Sequence, residues 1–211
     1  YILGYTDGTF GPSRSMTRSE AAAIFARLLA EKNGDTISTA ANTKFADIPA
    51  HAWYSGYVKY LANNGITYGK SKTIFAPNDA ITRAEFTTMA VRFFDVYGDG
   101  DAEIMEQFSG FNDVSSGYWA AEYIKYAALH GWINGYGDGS FHADREINRA
   151  EVVTIVNRLL GREADEDYIA DNLRKLNTFP DVTKRHWAYY AVMEAANAHT
   201  AVLGESESWS K

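Results

Sequence analysis

Three stretches of the chain, residues 21–29, 86–94 and 152–160, are apolar on more than one helical face. Such segments are predicted to be buried helices that pack against one another. Each is announced by a capping pattern: Thr17 with Glu20, Thr82 with Glu85, and the close variant Asn148 with Glu151. A second set of helices, amphipathic rather than apolar throughout, is predicted over about 53–63, 119–130 and 187–198. In the first of these, Trp53, Tyr57, Val58 and Leu61 fall at helical spacing. Gly65 and Gly131 stand where a helix end favours a left-handed residue, and His199 takes that place in the last copy, so that end should differ.

The two kinds of helix alternate because the sequence repeats. Ile81-Thr82-Arg83-Ala84-Glu85 returns as Ile147-Asn148-Arg149-Ala150-Glu151, and a third copy reads Met16-Thr17-Arg18-Ser19-Glu20. The arginines are 65 and then 66 residues apart. Phe45-Ala46-Asp47-Ile48, Phe111-Asn112-Asp113-Val114 and Phe179-Pro180-Asp181-Val182 keep the same period, and Trp53, Trp119 and Trp187 follow them. Between the helices of a unit lies Gly4-Tyr5-Thr6-Asp7-Gly8-Thr9-Phe10, repeated as Gly135-Tyr136-Gly137-Asp138-Gly139-Ser140-Phe141. The middle copy, Gly69-Lys70-Ser71-Lys72-Thr73-Ile74-Phe75, is degenerate. Glycine and aspartate at these spacings predict a tight turn, with Phe10, Phe75 and Phe141 plugging the gap between helices.

The connecting stretches are 31–44, 95–110 and 163–178. Residues 33–43 read as a loop, and 101–108 as a short helix. Residues 163–176 read as a polar helix with Tyr168, Ile169, Leu173 and Leu176 on one face. Tyr1 aligns with Ile66 and Trp132, so the helix that precedes this position in the other copies is not in this sequence.

Composition narrows the functional classes. With a net charge of −7 and no long basic run, nucleic-acid binding is disfavoured, and any anion must be held by local positive pockets. The absence of cysteine removes disulfides, thiolate metal sites and cysteine nucleophiles. No apolar run approaches a membrane span, and no signal peptide is visible.

Together these motifs resemble the S-layer homology (SLH) repeat, over nearly the whole chain except the linkers and the last eight or so residues. The resemblance implies a mainly α fold: tandem helix-turn-helix SLH repeats, pseudo-threefold, with a central bundle of second helices and very short extended segments. The expected organisation is SLH unit 1 over 1–44, unit 2 over 45–110, unit 3 over 111–178, and a partial fourth repeat over 179–211. Counting halves, the helix after Trp187 is expected to close the ring beside the first unit.

The implied function is non-catalytic anchoring to the bacterial cell wall, outside the cell. The partner is a secondary cell-wall polysaccharide held through a pyruvylated amino sugar in grooves between repeats. A protein-protein contact within an S-layer and binding to modified peptidoglycan are the alternatives, and S-layer self-association of the parent protein is compatible with the polysaccharide partner. No cofactor, nucleic acid or membrane insertion is implied. The family's groove residues carry over onto Arg18, Arg83 and Arg149, and onto Gly4, Gly69 and Gly135. A helix start offers amide donors and a partial positive charge, and a guanidinium beside it could take a carboxylate in a bidentate contact. Glycine lets the backbone approach a ligand. Thr17, Thr82 and Asn148 could bond sugar oxygens, Tyr5 and Tyr136 could flank the sugar, and Lys70 replaces them in the middle unit.

The competing reading makes each arginine an ion-pair partner of a neighbouring repeat. On the binding reading, Arg83→Ala or Arg149→Ala should weaken polymer binding and leave melting nearly intact. A large melting loss would favour the ion pair. Trp53, Trp119 and Trp187 suit core anchors better than sugar platforms, and Glu20, Glu85 and Glu151 suit capping rather than acid–base work. Glycosidase chemistry needs two carboxylates across a cleft, and the repeated acids are already explained by turns and caps. His51, His130, His142, His186 and His199 form no metal-ligand pattern. A faint calcium-loop spacing runs over 95–106, but Tyr97 stands where an oxygen ligand is needed.

Overall fold

The computed structural model describes residues 1–97, 108–202 and 208–210. The helices are α1 (Arg18–Asn33), α2 (Ser55–Asn63), α3 (Arg83–Tyr97), α4 (Ala121–Leu129), α5 (Arg149–Leu159), α6 (Glu166–Asn172) and α7 (Tyr189–Ala196). A 3₁₀ turn, Leu173–Lys175, follows α6. The chain is thus mainly α. One antiparallel hairpin of very short strands, β1 (Thr200–Val202) and β2 (Ser208–Ser210), lies near the C-terminus. The predicted helix over 101–108 and the calcium-like spacing fall on residues that lie, wholly or for the most part, outside the described ones.

Two compact units are present. One comprises Ser15–Ile147 and the other Tyr1–Arg14 with Asn148–Lys211. In the first, α1 packs on α2 and on α3, and α3 packs on α4. Phe25 of α1 meets Phe86 and Phe93 of α3 at ring-centroid distances of 5.3 and 5.0 Å, and all three rings are fully buried. This is why α1 and α3 are apolar on several faces: each is covered from more than one side. A closed cycle of three main-chain hydrogen bonds ties the unit together. Met16 donates to Ile147 (3.0 Å), Ile147 to Ile81 (3.0 Å) and Ile81 to Met16 (2.9 Å). The residue that opens each helix-start motif is therefore buried and bonded to its two counterparts.

In the second unit α5 packs on α7. Phe179 packs on Phe10 at 5.3 Å, and the Tyr1 and Ile2 main-chain nitrogens donate to the Ala195 carbonyl. In the terminal hairpin, Trp209 donates its amide to Asp165, the N-cap of α6, and its ring stacks on His199 at 3.9 Å.

Helix ends follow local chemistry. Gly65 (φ 73°) and Gly131 (φ 68°) are left-handed just past α2 and α4. The chain instead leaves α7 through Asn197 in an extended conformation. Two expectations need correction. The first helices begin two residues after their tryptophans, at Ser55, Ala121 and Tyr189, because the Trp residues sit in the preceding turn. The 163–176 stretch does not bury one continuous face: α6 spans seven residues, Ile169 is buried, and Leu173 is exposed on the 3₁₀ turn.

Candidate functional site

The three copies of the turn are built on a clamp. Asp47 accepts the amides of Phe75 (2.9 Å) and Ala76 (2.6 Å), and Asp113 those of Phe141 and His142 (2.7 Å each). Asp181 accepts those of Phe10 (2.9 Å) and Gly11 (2.7 Å). One carboxylate thus satisfies two successive amides that no helix or strand serves. Burial pushes the Asp113 and Asp181 carboxyls up, but those amides outweigh it and hold both below the usual carboxylate range. The clamp fixes a left-handed residue after each phenylalanine: Gly11 (φ 69°), Ala76 (φ 59°) and His142 (φ 55°). Phe10, Phe75 and Phe141 are fully buried plugs, as their position predicted.

Asp7 and Asp138 organise the outer turns by accepting both the amide and hydroxyl of Thr9 and Ser140, which lower their carboxyls. The middle copy has Lys72 where they stand. Ser71 accepts the Thr73 and Ile74 amides instead, and the positive φ moves from the Gly8/Gly139 position to Gly69.

Each arginine at a helix start reaches into the turn of another repeat. Arg18 Nε donates to the Phe75 carbonyl (2.7 Å), Arg83 Nε to Phe141 (2.8 Å) and Arg149 Nε to Phe10 (2.8 Å). Arg83 also bonds the Asn134 carbonyl (3.2 Å), and Arg149 that of Leu3 (2.7 Å). Arg18 pairs with Glu85 at 3.0 Å, while Glu85 also caps α3. The arginines are 4–5% exposed and lie over rings: Arg83 over Tyr136 and Phe141, Arg149 over Tyr5 and Phe10, Arg18 over Phe75. The predicted residues therefore assemble as Arg18 with Gly69 and Lys70, Arg83 with Gly135 and Tyr136, and Arg149 with Gly4 and Tyr5.

Two sequence expectations change here. The helix-start amides do not stand open to an anion. Arg18 and Ser19 donate to Asp79 and Pro77, Arg83 and Ala84 to Arg145 and Ala143, and Arg149 and Ala150 to Arg14 and Pro12. The third amide of each helix goes to Thr17, Thr82 or Asn148, whose side chains are thereby engaged as caps. The capping Glu20, Glu85 and Glu151 return the bond to the cap amide, as expected. The turn glycines are close-approach positions, but what approaches is protein. A Cβ on Gly4, Gly69 or Gly135 would lie 2.4–2.5 Å from a ring carbon of Phe179, Phe45 or Phe111, and 2.5–2.8 Å from a carbonyl oxygen.

What faces outward is the rim. Tyr136 is exposed, Tyr5 is half-buried, and Lys70 pairs with Asp79 at 2.8 Å, lowering the Asp79 carboxyl. Trp53, Trp119 and Trp187 are 53, 57 and 65% exposed, which corrects their reading as core anchors: Tyr54, Ala120 and Ala188 beside them are the buried residues. In the third copy, Asp113, Tyr118, His142, Asp144 and Arg145 line a hollow of about 490 Å³. There Tyr118 donates to Asp144 (2.6 Å). Burial first, and that carboxylate second, push the phenol up to about 12. The aspartate clamp was the main functional role missed at the sequence level. Its signal in two copies is the shared spacing of 28 and 29 residues, from Asp47 to Phe75 and Ala76 and from Asp113 to Phe141 and His142, whereas Asp181 serves Phe10 and Gly11 from the far end of the sequence. Among the described residues, no cluster of His, Asp and Glu could hold a metal ion, and no helix is long and apolar enough to cross a membrane.

The family model described as "S-layer homology domain" matches residues 1–22, 44–87 and 110–153, just over half of the chain. Similar proteins include "Cell surface glycoprotein 1" of Acetivibrio thermocellus, 34% identical over 98% of this chain and 9% of its own length. "Cellulosome-anchoring protein" of the same organism is 30% identical over 98% of this chain and 44% of its own length. "Surface-layer 125 kDa protein" of Lysinibacillus sphaericus is 32% identical over 75% of this chain and 13% of its own length. The chain spans less than half the length of each of these relatives. The matched residues hold all three arginine–turn junctions apart from the Phe179–Asp181 clamp, and on that match this chain belongs to the S-layer homology domain family.

Proposed function

We propose that this chain is a non-catalytic module that anchors its parent protein to the bacterial cell wall, outside the cell. It binds an anionic secondary wall polysaccharide through a pyruvylated amino sugar. The observation that carries the reading is the threefold recurrence of one junction, an arginine beneath a turn, in a family whose relatives carry names of surface-layer and anchoring proteins. The repeat boundaries near residues 44, 110 and 178 belong to the same proposal.

In this reading Arg18, Arg83 and Arg149 form the floor of each groove, and Gly4, Gly69 and Gly135 allow the turn to sit close behind it. Thr17, Thr82 and Asn148 hold the helix starts in register. The saccharide meets the rim: Tyr5 and Tyr136 offer ring faces, and Lys70 offers a cation. The three grooves differ because their rims differ.

The test is calorimetric titration with purified wall polymer before and after mild-acid removal of the pyruvyl ketal. Binding should be lost for the most part with the ketal. Equal affinity for both polymers would sink the carboxylate as the handle.

A further inference from the structure

The middle repeat carries a second basic and aromatic surface that none of the junctions uses. Tyr68 is 56% exposed. The Arg92 guanidinium carbon lies 4.7 Å from its ring centroid, and the Lys44 ammonium lies 5.7 Å from it. Arg92, on α3, is held by Tyr123 of α4, whose hydroxyl accepts from its Nε (3.3 Å) and Nη2 (3.1 Å). Lys44 is exposed and also lies 5.1 Å from the Phe45 ring. Among the described residues, no carboxylate pairs with Lys44 or Arg92. In a chain of net charge −7, these two cations place positive charge around one exposed ring, as Arg83 and Arg145 do around Tyr136.

The arrangement is peculiar to this copy. Leu3 and Asn134 stand where Tyr68 stands, and Gly110 and Thr178 stand where Lys44 stands, whereas the arginine recurs as Arg27 and Arg158. The fold therefore does not require the ring and the lysine. An exposed ring flanked by cations suits a carboxylated saccharide: the sugar face packs on the phenol ring, and the carboxylate takes ammonium and guanidinium hydrogen bonds.

We propose that Lys44, Tyr68 and Arg92 form an auxiliary subsite for a carboxylate-bearing sugar of the same wall polymer. This subsite rests on the wall-polymer reading and deepens it. The double variant Lys44→Gln/Tyr68→Ala leaves the three junctions untouched. Lys59→Gln, an exposed lysine on α2, is the charge-matched control. Calorimetry with the intact polymer should show the double variant binding at least about fivefold more weakly, with a shallower salt dependence, and the control unchanged. On the polymer stripped of its pyruvyl ketals the double variant and the unaltered chain should bind alike. Unchanged affinity in the double variant, an equal loss in the control, or a loss that persists on the stripped polymer would each overturn the subsite and leave the anchoring reading standing. Failure of the unaltered chain to bind either polymer would overturn both.

Discussion

Replacing Arg83 by alanine separates a structural arginine from a purely ligand-facing one. The side chain is 5% exposed and donates to the Phe141 carbonyl at 2.8 Å and the Asn134 carbonyl at 3.2 Å, between the rings of Phe141 and Tyr136. A hydrogen bond from a charged donor contributes about 1.5–3 kcal/mol, and such terms do not add in full. Truncation leaves two carbonyls without these donors and a gap between two rings, so the expected loss is about 3–5 kcal/mol. In a chain of this size that lowers the melting temperature by roughly 8–15 °C. The binding reading of the sequence expects melting left nearly intact and the competing ion-pair reading expects a large loss; burial of the guanidinium, which the sequence does not show, decides for the large loss. Arg83→Lys keeps the charge but not the planar fork, and should recover only part of the loss. The assay is calorimetric melting paired with urea unfolding. A melting temperature within about 2 °C of the unaltered chain would refute this account of the junction. Polymer binding by the variant must be read well below both transitions.

Two further outcomes follow from the clamp. Asp113→Asn keeps one acceptor for two amides and should cost about 1–2 kcal/mol at neutral pH, measured by urea unfolding. Because the folded carboxyl titrates below its unfolded value, its stabilisation is complete above about pH 4 and fades as pH falls through the folded value. The variant should therefore lose less stability than the parent on acidification across that window, and equal acid sensitivity would refute the clamp. His142 holds φ 55° where the first copy has Gly11, so His142→Gly should raise stability by up to about 1 kcal/mol, and a clear destabilisation would show that the His142 side chain contributes more than its backbone strain costs.

Much of the frame was legible because it rests on short-range patterns. Capping boxes are spaced by three residues, buried plugs recur at a fixed place, and apolar faces repeat with the helix. The unreadable part is what covers each face. Trp53, Trp119 and Trp187 fit a helical stripe by spacing, yet the helices start after them and their rings remain exposed. The helix-start arginines look available in sequence because α-helices begin with open donors. Only the arrival of another repeat's carbonyls, such as Asp79 and Pro77 on α1, shows those donors to be taken. The aspartate clamp escaped for the same reason: Asp113 and the amides it serves are 28 and 29 residues apart, beyond any local turn rule.

Frame and rim are chemically separate, and that separation bears on specificity. At each junction the glycine touches a phenylalanine ring, the aspartate holds two amides, and the arginine holds a carbonyl. None of these can change without disturbing the fold. Inside the frame the copies differ at the clamped residue (Gly11, Ala76, His142) and at one cap (Asn148 for Thr17 and Thr82), and none of these brings in a carboxylate or a lysine. The differences that change charge or add a ring lie outside it: Leu3, Tyr68 and Asn134; Tyr5, Lys70 and Tyr136; Asp7, Lys72 and Asp138. Two copies carry an acid and a phenol there, and the middle copy carries two lysines and an exposed tyrosine. A scaffold whose charge varies only at the rim can alter which anion it prefers at little cost in stability, since exposed charges contribute little to folding and much to long-range attraction. On the proposed wall-polymer reading, that logic makes the middle repeat the expected point of attraction for an anionic polymer, although the three junctions share one backbone.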